Sequence, residues 1–137
     1  MKKVYCILLL SCMAQWLRAQ LIEEQPMNDT ICVGSGASFS CEESGAADLF
    51  QWEHSTNNVI WNAIPASDPA YSGESTTTLQ ISSSAAPGLN MHWYRIIVTD
   101  SDPDPEDIDT SNSVQLIVNS VAIPNPTFIN PLPCGTA

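Results

Sequence analysis

After Arg18 this 137-residue chain contains no lysine and a single arginine, Arg95. Fifteen carboxylates against that one guanidinium leave residues 20 to 137 with a formal charge of −14. Phosphate polymers and anionic membrane surfaces are repelled by such a chain, so nucleic acid is not an expected partner. The acidity itself suits solubility in a salty medium, where screening acts over about a Debye length. The chain also lacks a long hydrophobic run. Its most apolar stretch, Val4 to Met13, falls well short of the roughly 20 residues that a helix needs to cross a bilayer, and no membrane insertion is expected. Helix-length amphipathic windows are missing too, because prolines and β-branched residues interrupt every candidate.

What is present begins with the N-terminus. Lys2 and Lys3 precede the apolar run, and small and polar residues ending in "LRAQ" follow it. This is the layout of a secretory signal peptide, residues 1–19, with cleavage after Ala19 or, alternatively, after Ala14. A second reading takes "LLSC" as a lipobox, with Cys12 as the lipid-bearing residue. Either way the destination is outside the cytoplasm, secreted or at the cell surface. The remainder is one domain's worth of chain.

Short alternating segments fill residues 20–119. In "ASFSCE" (37 to 42) the apolar residues Ala37, Phe39 and Cys41 fall on one face; "LFQWEH" (49 to 54), "TTTLQIS" (76 to 82, with Leu79 and Ile81 aligned), "MHWYRIIVT" (91 to 99) and "NSVQLIV" (112 to 118) follow. The spacing predicts strands there, with two more near Thr30 and from Trp61. Gly, Pro, Asn and Asp mark the stretches between as loops, among them "SDPAYSGE" and "DSDPDPEDIDT". About seven short strands argue for an all-β, two-sheet antiparallel sandwich of the immunoglobulin-like kind, in which Trp52 fills the space between the layers. Tyr94, two residues before Ile96, occupies the tyrosine-corner position, whose hydroxyl is expected to bond backward along the chain near Asn90. Strand parity turns Trp93 and Arg95 away from Tyr94, which makes them a candidate contact surface.

Four segments, in order, resemble the immunoglobulin-like repeats of secreted and surface proteins of the Bacteroidetes: "ICVGSG", "FQWEHSTNNVIWNAI", "YSGESTTTLQIS" and "LNMHWYRIIVTD". The resemblance runs from Ile31 to Val118. It implies a passive module of adhesins and surface assemblies, joined to further domains of the same polypeptide. Its core signature maps onto Cys41, Trp52, Leu79, Tyr94 and Ile96. The sixth-strand cysteine of those repeats is Ile96 here, so Cys41 is expected to be a buried, inert thiol. A bridge between 41 and 96 would contribute about 4 kcal/mol by loop closure, and burying Ile96 about 2 kcal/mol. Pairing of the strands around "VGSG" would place Cys32 roughly 13 Å from Cys41, beyond the limit of about 7 Å between bridged Cα atoms.

Residues 120–137 are a Pro-rich linker or tail, or the start of a second repeat, since "NPLPCGTA" around Cys134 is similar to "TICVGSGA". An orphan thiol in a secreted chain invites a missing partner.

No enzyme is expected. There is no G-x-S-x-G elbow, and His54 and His92 are assigned to strand faces turned away from Trp52 and Tyr94, without zinc-ligand spacing to each other or to cysteine. Asp100, Asp102 and Asp104 alternate as calcium ligands do, but Pro105 and Ser111 stand where an EF-hand loop has glycine and a bidentate glutamate. A solvated acidic loop, or a weak calcium site of the millimolar class, fits this pattern, and no other cofactor is indicated. "NDT" at 28 and "DTI" at 29 have the form of N- and O-glycosylation motifs. Two functions remain. One is a binding module for an extracellular protein or glycan, using the loops beside 42–48 and 100–109. The other is a structural spacer.

Overall fold

The computed structural model describes residues 20–102 and 107–120. The expected leader, Asp104, Cys134 and nearly all of the Pro-rich tail lie outside the described residues. Eleven short strands follow in chain order: β1 (Ile22–Glu24), β2 (Asp29–Cys32), β3 (Ala37–Ser40), β4 (Glu42–Glu43), β5 (Leu49–Ser55), β6 (Asn62–Ala63), β7 (Tyr71–Ser72), β8 (Thr78–Ile81), β9 (Trp93–Asp100), β10 (Asp107–Thr110) and β11 (Val114–Asn119). A 3-10 turn, Ala86–Leu89, precedes β9.

These strands build two layers. In the first, β3, β8 and β7 lie side by side, and β1 pairs β4, which continues the line of β3 past Cys41. The second has the order β2-β11-β9-β5-β6, with β10 also on β9. Every pairing is antiparallel except that of β2 with β11.

Alternation along the strands closes the core. Ala37, Phe39 and Cys41 from the first layer, with Leu79 and Ile81, meet Trp52, Tyr94, Ile96, Val98, Val114 and Leu116 from the second. Trp52, Tyr94 and Ile96 have no exposed surface. Phe39 stacks on Tyr94 at 4.9 Å between ring centroids and lies 6.4 Å from the Trp52 ring. Aromatic pairs at such spacings add about 1 kcal/mol beyond the area they bury. The Trp52 Nε1–H donates to Thr76 O at 2.9 Å, so the buried indole leaves no polar atom unsatisfied.

Gly73, in the Tyr-Ser-Gly segment between β7 and β8, has φ +80°. A Cβ there would stand 2.1 Å from Thr78 O. Only glycine fits, because the chain must both turn left-handed and press against a backbone carbonyl.

Four expectations need correction. First, β2 does not pair with β3: after Pro26 the chain crosses to the second layer and runs parallel to β11, with Cys32 opposite Asn119. Second, the segment assigned wholly to an acidic loop contains β10, whose Asp107 to Thr110 pair with Asp100 to Ile97 of β9. The Asp content masks an alternation that hydrogen bonding to β9 enforces. Third, "SDPAYSGE" contributes a strand, Tyr71–Ser72, on the edge of β8. Fourth, the Tyr94 hydroxyl does not bond to the chain near Asn90; its polar neighbour is the Tyr71 hydroxyl. Asn90 instead accepts from Val118 N at 2.8 Å, tying the approach to β9 onto β11.

Candidate interaction surface

The outer face of the second layer is set by register. Glu53 lies opposite Arg95, with Ala63 beyond it; Gln51 lies opposite Ile97; and Leu49 lies opposite Thr99, which in turn faces Ile108. Residues directly opposite share a face. Leu49 and Ile108 therefore flank Thr99 on one row, and they are 55% and 58% exposed. Trp93 is half-buried on the same face, opposite Ser55 and Gln115.

Arg95 is central to this face. Its Nε donates to Glu53 Oε2 at 2.7 Å and its Nη2 approaches the same oxygen at 2.6 Å. The guanidinium carbon sits 4.3 Å from the centre of the Trp61 ring. Both partners of the ion pair are partly shielded, 28% and 15% exposed, so the pair is screened less than one in open solvent. The cation–π contact adds roughly 0.5–1 kcal/mol and holds the indole against the guanidinium. Neither Trp61 nor Glu53 was singled out as an Arg95 partner from sequence, although "FQWEH" and "WYRII" carried the parity that aligns them.

At the end of this face the loops after β4 and β9 are joined. Asp48 accepts from Ser101 N at 3.1 Å, and its second carboxylate oxygen accepts from the Ser101 hydroxyl. Those two bonds, the hydroxyl first, hold the Asp48 carboxyl below its ordinary value. Asp48 N also donates to Thr99 O at 3.0 Å. Of the three expected calcium ligands, Asp100 accepts from Asp102 N at 3.1 Å, a local turn bond, and Asp104 lies outside the described residues. Among the described residues no three His, Cys, Asp or Glu side chains converge on one point.

Cys41 is a free thiol, 6% exposed. Burial first, then the Glu43 charge, pushes its pKa upward. Cys32 is disulfide-bonded, and Cys41 is not its partner.

His54 and His92 are not on the outer face. Two residues from Trp52 and from Tyr94 respectively, they have the same parity as those inward residues, and His54 lies directly opposite Tyr94. The expected outward facing is overturned, because a period of two returns each of them to the inner face. Their rings are 6.3 Å apart and nearly parallel, and burial, with His54 as the second influence, lowers the His92 pKa. Tyr71 stands 6.2 Å from His54 and from Tyr94. Burial raises the pKa of both tyrosines, and the interaction of their hydroxyls raises that of Tyr94 further while opposing the rise at Tyr71.

No protein-family model matches the chain, and no curated relative does. Solved structures do match in shape. The N-terminal Ig1–2 module of the Drosophila receptor protein tyrosine phosphatase DLAR superposes with a TM-score of 0.54 at 19% identity, over 74% of this chain and 50% of that one. The first domain of Duf (Kirre) gives 0.56 at 18% identity, over 74% and 97%. The Ig-like domain of human leucine-rich repeat-containing protein 4 gives 0.52 at 18%, over 78% and 94%. The domain has an immunoglobulin-like fold.

The chain spans about half the length of the DLAR module and nearly all of the two single domains, so one immunoglobulin-like unit accounts for the similarity. Among the described residues of this immunoglobulin-like domain, no helix is long and apolar enough to cross a membrane.

Proposed function

We propose that this chain is a non-catalytic extracellular binding module that meets a protein partner through the outer face of its larger sheet. The observation that carries this reading is the placement of Leu49 and Ile108 on either side of Thr99, each more than half exposed on a regular sheet rather than on a loop. Exposed aliphatic pairs of this kind, beside half-buried Trp93 and the Arg95–Trp61 stack, supply an apolar centre with a polar rim. The strongly acidic chain, with exposed Asp48 at the end of this face, favours a partner with basic residues at its rim and disfavours a second copy of itself. Resemblance to repeats of Bacteroidetes surface proteins supports secretion and membership of a larger assembly, and rests on the sequence motifs alone.

The test is photo-crosslinking in the source cells, with a benzophenone amino acid at position 108 and, as control, at Gln80 on the exposed face of the other sheet. A discrete crosslinked species from position 108 alone supports the binding reading. Equal labelling from both positions, or none from either, favours a spacer whose work is separation of other domains.

A further inference from the structure

Among the described residues, the buried side-chain nitrogens and oxygens without a hydrogen-bond partner of ordinary length form one cluster: Nδ1 of His54, Nδ1 of His92, and the hydroxyls of Tyr71 and Tyr94, of which the two hydroxyls still act on each other. The other buried side-chain polar atoms among the described residues have partners. Trp52 Nε1–H has Thr76 O, and the Ser111 hydroxyl both accepts from Ile96 N and donates to Asn112 O. An unpaired buried polar group costs about 1–3 kcal/mol; the two hydroxyls have each other, so it is the two imidazole nitrogens that call for a ligand they share.

The donor set defines that ligand. Two imidazole nitrogens offer lone pairs, and no carboxylate is among the unpartnered atoms, which disfavours calcium and magnesium, since these demand several oxygens. Imidazole suits the borderline transition metals. Spacing bounds the geometry: with metal–nitrogen bonds of about 2 Å, two rings ligating one ion have centroids about 5 Å apart in a tetrahedral site and roughly 6 Å apart when they face each other across the ion. The His54 and His92 centroids are separated by 6.3 Å, so a small side-chain adjustment closes the pair on an ion. Both rings are only half-buried, which leaves a route from solvent.

We propose that His54 and His92 form a two-imidazole site for one divalent transition-metal ion, Zn²⁺ or Cu²⁺, with the Tyr71 hydroxyl as the neighbouring oxygen. Topology creates it. The residues lie on β5 and just before β9, and pairing of those strands, with Ser55 opposite Trp93 and His54 opposite Tyr94, brings distant positions together. A site with two protein donors binds more weakly than a closed structural zinc site, so micromolar affinity is expected.

Calorimetric titration of the protein with ZnCl₂ and with CuCl₂ tests this. The expected result is one equivalent bound by at least one ion, a rise in Tm of a few degrees, no heat with CaCl₂ at the same concentration, and loss of the effect in both His54→Gln and His92→Gln. Binding should survive in Cys41→Ser. In parallel, the imidazole nitrogen resonances of both rings should shift on metal addition to the unmodified protein, a readout that stands even if a variant does not fold. No saturable binding of either ion, retention of binding in either glutamine variant, or imidazole resonances unmoved at saturating metal overturns the proposal.

Discussion

The indole N–H of Trp52 donates to the carbonyl of Thr76 at 2.9 Å, across the gap between the two sheets. That bond joins β5 to the turn that leads into β8, and it explains how the largest side chain of the core is buried without an orphaned donor.

Replacing Trp52 removes both the packing and the bond. Trp52→Ala is expected to cost about 3–5 kcal/mol, and Trp52→Phe less, because the ring volume is partly kept while Thr76 O loses its donor. Urea unfolding followed by circular dichroism checks the order: a phenylalanine variant as unstable as the alanine variant would mean that the hydrogen bond, not the ring, dominates.

Cys41 should be unreactive while the domain is folded. Burial and the Glu43 charge raise its pKa, so the neutral thiol is the form held at physiological pH. The sign follows: the fold tolerates the thiol fully below its unfolded value, and stability falls as pH rises through the alkaline range toward the folded value. Labelling of Cys41 with a thiol reagent at pH 8 is expected only after denaturant is added. Rapid labelling of the native protein would place Cys41 in solvent.

Gly73→Ala should be strongly destabilising for a surface-turn substitution, by about 2 kcal/mol or more, since a positive φ and a clash with Thr78 O must both be relieved. Gly45 also has positive φ but nothing within 4 Å of a built Cβ. Gly45→Ala is therefore expected to cost less, and thermal melts of the two variants compare them directly.

The Asp48 carboxyl is held below its usual value of 3.8 by two bonds from Ser101. Its contribution is present above that unfolded value and fades as pH falls through the lower folded one, so the joined loops should part only in strong acid. A carboxyl titration by NMR is expected to show Asp48 titrating below 3.8 and Ser101→Ala returning it upward. An unchanged midpoint in that variant would show that the two loops are not coupled in solution.

Much of the sandwich was legible because period two is a local property. Ala37 and Phe39, or Leu79 and Ile81, alternate with polar neighbours whichever strand they eventually meet, and burial of one face follows from that pattern alone. The same count, taken correctly, would have turned His54 inward with Trp52. Local pattern does not say which edges join. That β2 leaves β3 to run beside β11, that Asp107 to Thr110 pair with β9 despite their charge, and that His92 comes to rest near His54 are outcomes of long-range pairing.

The outer face has the same dual origin. Trp93 and Arg95 were assigned to it by parity, whereas the row of Leu49, Thr99 and Ile108 exists only because three separate strands share one register. Residue type and spacing along the chain therefore determined that two β-layers form and which side chains line the space between them. Tertiary structure decided the neighbours, because hydrogen bonding between strands far apart in sequence is chosen by the closure of the whole core rather than by any segment within it.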